Sequence, residues 1–242
     1  MSLVAYETSG HVGHLRLNRP DKLNAINLEM LGELVDALDA AAADDDLRVL
    51  VLSGEGRAFS AGFDLQGGEP APGESRQDFV RRELETDFDG IMRFWDFPKP
   101  IIAAVHGYCL GSSMEITAVC DITVASEDCR FGAPEVSFGS GIVCMILPWI
   151  IGQKNARELL LVGAKDISAD RAQQMGLVNH VVAAEQLIER AMEIAQRIAA
   201  NDPAAVQLTK KAINLNIEAT GLREALRKAL EIDVLIESME EQ

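Results

Sequence analysis

The chain has 242 residues, with 22 lysines and arginines against 38 aspartates and glutamates, a formal net charge of −16. Apolar residues make up 48% and charged residues 25%, which suits one large domain or two small ones and excludes extended disorder. The acidic balance argues against general binding to nucleic acid or an anionic membrane, both of which need a positive field, but leaves room for a local basic pocket.

In chain order, His11 to Leu17 reads as a strand, ended by the turn Asn18-Arg19-Pro20-Asp21. Asn27 is a candidate N-cap for a helix with Met30, Leu31, Leu34, Val35 and Leu38 on one face, closed by Asp44 to Asp46. Arg48 to Leu52 is a β-rich run, and Ser53 to Gly73, with eight glycines and prolines, reads as loop. A helix is predicted over Phe79 to Phe94 and a strand over Ile101 to Val105. The glycine turn His106 to Ser113 opens a helix to Val119, and Asp121 to Ala125 forms a further strand. This alternation predicts an α/β core with parallel strands. After Ser168, an N-cap, helices are predicted at 168–175, 184–200, 203–216 and 221–238, with one strand over Val178 to Val182. Leu222, Leu226, Leu230 and Leu235 read as one apolar stripe for an oligomer or domain interface.

Several chemistries find no support. Cys109, Cys120, Cys129 and Cys144 form no CxxC pair, so reduced thiols and no metal site are expected. His11, His14 and His180 are isolated. The first residues lack a basic and apolar leader pattern, and Gly139 to Gly152, the longest apolar stretch, is too short to span a bilayer and contains Pro148. The tail SMEEQ carries no address or lipidation motif. The expected location is cytoplasmic, with neither nucleic acid nor membrane as partner.

Two glycine-punctuated turns follow apolar strands: Gly56-Arg-Ala-Phe-Ser-Ala-Gly-Phe-Asp-Leu65 and His106-Gly-Tyr-Cys-Leu-Gly-Ser-Ser-Met-Glu115. Exposed N–H groups at such turns can aim at one oxygen that gains negative charge in a transition state. Glu115 lies in the first turn of the helix after the second motif, and Glu135 ends Phe131-Gly-Ala-Pro-Glu135. Two carboxyl groups in a partly dry pocket can divide the roles of acid and base. Spacing alone leaves open that Glu115 is a helix-start residue and Glu135 a solvated turn residue. It also leaves open a serine hydrolase built from Ser112 and His106, although no GxSxG elbow is present.

The segments LNRPDKLNAIN, GRAFSAGFDL, PIIAAVHGYCLGSSMEITAVCD and FGAPE, extended by ISADRAQQMGLVNHVV and LTKKAIN, resemble the enoyl-CoA hydratase/isomerase (crotonase) superfamily over most of residues 10–216. The resemblance implies the crotonase (ClpP/crotonase-like) fold, a spiral of ββα turns. Residues 1–183 would form the core with the coenzyme A-thioester site, and residues 184–242 a helical region that drives assembly into a trimer or a dimer of trimers. It implies oxyanion amides at Phe63 and Ser112, a water-activating Glu115 and a proton-exchanging Glu135. Coenzyme A contacts are implied at Lys22, Ala25, Ala61, Asp64, Leu65 and Gly111, with positive charge from Arg16, Arg19 and Arg57. Coenzyme A enters as part of an acyl- or enoyl-CoA substrate, with no separate cofactor and no metal. Retention of both glutamates favours hydration over isomerisation; thioester hydrolysis, or binding without turnover, are the other outcomes of such a site.

The sequence departs from the family pattern in three places. Gly111-Ser112-Ser113 replaces GGG, Val136 to Pro148 replaces a glycine-rich stretch beside the acyl group, and the AFxEKR-like tail is missing.

Overall fold

The structure, a computed structural model, describes residues 2–66 and 68–239. Gly67 of the expected loop and Glu240 to Gln242, part of the tail read as free of address motifs, lie outside the described residues. The chain begins with the antiparallel pair β1 (Val4–Ser9) and β2 (Val12–Leu17), followed by α1 (Leu28–Ala43) and β3 (Val49–Gly54). Then come α2 (Arg76–Asp96), β4 (Ile101–Val105), β5 (Tyr108–Leu110), α3 (Ser112–Val119), β6 (Ile122–Ser126) and β7 (Arg130–Gly132). A 3-10 turn, Glu135–Phe138, leads to α4 (Leu147–Ile150), α5 (Gly152–Val162), β8 (Ile167–Ser168), α6 (Ala169–Met175) and β9 (His180–Val182). The chain finishes with α7 (Leu187–Ala199), α8 (Pro203–Glu218) and α9 (Leu222–Glu237).

Six strands form one sheet in the order β1-β2-β3-β4-β6-β9, parallel apart from the first pair. A smaller sheet has the order β5-β7-β8. Successive passes lay one strand in the large sheet and the next in the small one, β4 then β5 before α3, and β6 then β7. This is the ββα spiral that the resemblance implies.

The large sheet is covered on both faces, which explains the continuous apolar run of β3. Val49 and Val51 face α7, packing with Leu187, Ala191 and Ile194. Leu50 and Leu52 point the other way, into a core shared with α1, α2, α3 and α9. Local signals set the helix starts: Asn27, Ser75, Ser168 and Asp202 each accept a hydrogen bond from an amide in the first turn of the following helix.

The α9 stripe differs from the expectation. Leu222, Leu226, Leu230 and Val234 are buried in this chain's own core, and Leu235 is exposed. A step of four residues keeps to one helix face, whereas five swings away from it. The partner of that face is α2. Strand β1 and helices α4 and α5 carried no sequence signal strong enough to be read. The four cysteines are free thiols. Among the described residues no helix is long and apolar enough to cross a membrane, and no group of His, Cys, Asp and Glu side chains could hold a metal ion.

Candidate active site

The two glycine motifs meet edge to edge. Leu110 N donates to Ser60 O at 3.1 Å and Ser60 N to Tyr108 O at 3.0 Å, binding the first motif alongside β5. Asn24 fastens the same segment from the other side. It is fully buried, its Nδ2 donates to the carbonyls of Glu55, Ala58 and Phe59, and its Oδ1 accepts from Arg19 N. Its left-handed backbone, φ 53°, is a conformation asparagine tolerates well. Among the described residues, neither Phe63 N nor Ser112 N donates to a protein acceptor, while the neighbouring Asp64 N and Met114 N both do. The two free amides lie close together: a Cβ built on Gly62 would sit 3.3 Å from Ser112 N. Ser112 opens α3, where N–H groups lack intrahelical acceptors and carry partial positive charge.

Gly111 makes this approach possible. Its φ of 58° and ψ of −134° suit glycine alone, and a Cβ there would fall 2.6 Å from Glu135 Oε1. Its amide is clamped to Gly132 O at 2.8 Å, fixing the distance between the two motifs and the turn that carries Glu135. The serines that replace the family's glycines divide their duties. Ser113 Oγ shares its one proton between Leu110 O at 2.7 Å and Ser60 O at 2.9 Å, stapling the helix start to the first motif. Ser112 Oγ is buried without a hydrogen-bond partner.

These groups line a cleft of about 320 Å³. Of the expected site residues, Ala61, Phe63, Asp64, Leu65, Gly111, Ser112, Glu115 and Glu135 border it. Lys22 and Ala25 do not. Lys22 is exposed at the end of a 3-10 turn, and the Ala25 carbonyl accepts from Arg19. Arg16 pairs with Glu7 and Glu55, and Arg19 pairs with Asp64 at 2.6 Å, so neither is a free cation at the cleft. Asp64 spends its carboxylate on Arg19 and on Gln66 N, and these hydrogen bonds lower it from its ordinary value. His106 Nε2 is bonded to Gly56 O at 2.9 Å, which leaves Ser112 Oγ without the base that a serine hydrolase would need.

The two glutamates occupy contrasting positions. Glu115 is 4% exposed, and its Oε1 accepts from Cys144 N at 3.1 Å. Burial, reinforced by the nearby Glu135 charge, pushes its carboxyl well above the ordinary range. Glu135 is half-buried, its Oε2 has no partner, and burial raises it to about 7. Burial raises both carboxyls, so the pair can hold a single proton between them. Cys144 belongs to the 136–148 segment that departs from the family pattern, so in this chain that stretch orients Glu115. The 136–148 stretch, expected beside the acyl group, contributes Phe138, Ser140, Gly141 and Val143, while reading by motif missed Leu84 and Asp87 of α2 and Glu237 of α9. They come from segments without a motif and meet only through tertiary packing.

A family model described as enoyl-CoA hydratase/isomerase matches residues 7–241. A probable enoyl-CoA hydratase of Rhizobium meliloti is 36% identical, over 91% of this chain and 84% of its own length. The 2,3-dehydroadipyl-CoA hydratase of Escherichia coli is 35% identical, over 94% and 88%. Among solved structures, an enoyl-CoA hydratase/isomerase from Xanthobacter autotrophicus Py2 superposes with a TM-score of 0.94 at 47% identity, covering 98% of this chain and 88% of that one. A probable enoyl-CoA hydratase from Mycobacterium smegmatis gives 0.91 at 32% identity, covering 97% and 94%.

Proposed function

The chain belongs to the enoyl-CoA hydratase/isomerase family, and from that membership and the cleft we propose that it is a hydro-lyase adding water across the 2,3 double bond of an enoyl-CoA thioester. The observation that carries this reading is the convergence of two amides without acceptors among the described residues, at Phe63 and Ser112, with the buried Glu115 and half-buried Glu135 carboxyls in one cleft. The thioester oxygen accepts from both amides. Water, deprotonated by Glu115, forms a bond to carbon 3, and the π electrons move through carbon 2 onto that oxygen as an enolate. Glu135 then delivers a proton to carbon 2, the enolate collapses, and the hydroxyacyl thioester is complete.

Loss of one preorganised donor to such an oxygen costs about 2.7–4 kcal/mol of barrier, and positioned proton transfer contributes roughly 10²–10⁴-fold. The thioester is already activated, so the proposed reaction takes coenzyme A as part of the substrate and asks for no separate cofactor. Ala61, Leu65 and Gly111 would lie along the pantetheine and thioester, with Lys22 and Arg57 exposed nearby for the phosphates. We extend the proposal to a cytoplasmic enzyme of fatty acid metabolism that assembles as a trimer or dimer of trimers. Exposed apolar side chains on α5 and α8, among them Leu161, Leu208 and Ile213, support the assembly.

The test is to incubate the protein with short, medium and branched enoyl-CoA thioesters and identify products by mass. Gain of one water supports hydration. Positional isomers, free acid or unchanged substrate would each replace it with another reaction of the family or with binding alone.

A further inference from the structure

Ser112 brings more than its amide to the cleft. The residue is 5% exposed and borders the cleft, and its Oγ has no hydrogen-bond partner among the described residues. The other serine and threonine hydroxyls of the two glycine motifs and of α3 are satisfied. Ser60 Oγ donates to Asn24 O at 2.8 Å, Ser113 Oγ lies against Leu110 O and Ser60 O, and Thr117 Oγ1 donates to Ser113 O at 2.9 Å. The Ser112 hydroxyl does not serve its own helix either, because α3 starts without a side-chain cap. Leaving a buried hydroxyl without an acceptor is unfavourable, so its acceptor has to arrive from outside the chain.

Its position says which acceptor that is. A Cβ built on Gly62 would stand 3.3 Å from Ser112 N and 3.4 Å from Ser112 Oγ, so amide and hydroxyl open toward the same side, that of the first motif. In a gauche rotamer the two atoms of one serine are about 3 Å apart. An oxygen held by Ser112 N therefore comes within reach of Ser112 Oγ as well. Glu135 Oε2, the other cleft atom without a partner, makes no hydrogen bond with it.

Resting on the thioester-binding part of the hydratase reading, we propose that the Ser112 hydroxyl is a third donor to the thioester oxygen, beside the amides of Phe63 and Ser112, and so a catalytic residue. Glycine at this position would supply the amide alone. A hydrogen bond to an oxygen that gains negative charge strengthens along the reaction. Such a donor lowers the barrier more than it tightens binding of the substrate.

The test compares the intact protein with Ser112→Ala and Ser112→Gly. Both variants should lose at least about tenfold in kcat for hydration of crotonyl-CoA, with KM changed less than about threefold, because two amides stay in place. The thermal midpoint of Ser112→Ala should equal or exceed that of the unaltered chain, since the hydroxyl has no bond in the free protein to lose. The direct readout is the infrared carbonyl stretch of bound butyryl-CoA, a saturated and unreactive thioester, labelled with carbon-13 at the carbonyl. One donor fewer polarises that bond less, so Ser112→Ala should move the stretch to higher frequency. Unchanged kcat and an unchanged stretch overturn the proposal while the hydratase reading stands. A lower kcat with an unchanged stretch and a displaced pH profile would mean that the hydroxyl acts on Glu135, and also overturns it. If no enoyl-CoA is hydrated but the stretch still differs between the two proteins, the hydratase reading falls and the third donor stands. If butyryl-CoA does not bind and no enoyl-CoA is hydrated, both fall.

Discussion

At the scale of single residues, position 115 separates chemistry from folding. Glu115 is buried, yet its side chain's one hydrogen bond among the described residues is accepted from Cys144 N, and a glutamine oxygen accepts the same bond. Glu115→Gln should therefore fold normally and lose roughly 10²–10⁴-fold in kcat for hydration, the usual contribution of a positioned proton acceptor. Exchange of the carbon 2 proton with deuterated solvent, followed by NMR on the saturated product, should survive better than hydration. In Glu135→Gln the exchange should be lost with it. Equal loss of both reactions in the two variants would remove the division of labour proposed for the pair. Gly111 behaves differently, because any side chain strains its backbone and meets Glu135 at once. Gly111→Ala should lower both kcat and thermal stability, so its activity loss says less about chemistry.

At the scale of elements, the helix pair α2 and α9 supplies one wall of the cleft. Leu226 is fully buried on the α9 stripe against that core, and Leu226→Ala removes packing that costs about 2–5 kcal/mol. Because Asp87 and Glu237 ride on these two helices, the variant should weaken binding of a coenzyme A thioester as well as lower the unfolding midpoint. A calorimetric Kd and a denaturant titration measure the two losses separately. This part of the site is also where the sequence was least legible. The glycine motifs and the caps Asn27 and Ser168 were readable because each is local, a turn or a cap within a few residues, whereas Glu115 and Glu135 were given their roles only by the family resemblance. The lining contributed by Leu84, Asp87 and Glu237 depends on the angle at which two helices separated by more than 120 residues pack, and no short-range pattern records it. Strand β1 escaped for a related reason: at the sheet edge most of its residues are exposed, so its apolar alternation is weak. Helix α4 lies inside an apolar run with Pro148 in its first turn, and α5 follows directly, a pattern that periodicity alone does not separate from a strand.

At the scale of the whole molecule, the buried acids set how stability responds to pH. Asp87 and Asp233, ordinarily near 3.8, and Glu135, ordinarily near 4.5, all stand at about 7 in the folded chain, and Glu115 lies well above its ordinary range. A carboxyl raised on folding is bound to its proton more tightly in the native state than in the unfolded one. Its penalty is fully present above pH 7, shrinks as pH falls through that value, and vanishes below the unfolded value near 4. Carboxylates held low by arginines and hydrogen bonds, such as Asp64 and Glu33, act in the opposite sense and lose their contribution below their unfolded values of 3.8 and 4.5. The unfolding midpoint should therefore climb on acidification from pH 8, reach a maximum near about pH 5–6, and fall in stronger acid. Each kcal/mol gained moves the midpoint by about 2–4 °C in a chain of this size. Calorimetry from pH 4 to 8 measures the curve, and Asp233→Asn should flatten its descent toward pH 8, because it removes one of the groups that takes up a proton. A midpoint that instead rises steadily from pH 6 to 8 would mean that these acids keep their ordinary ionisation in the folded protein.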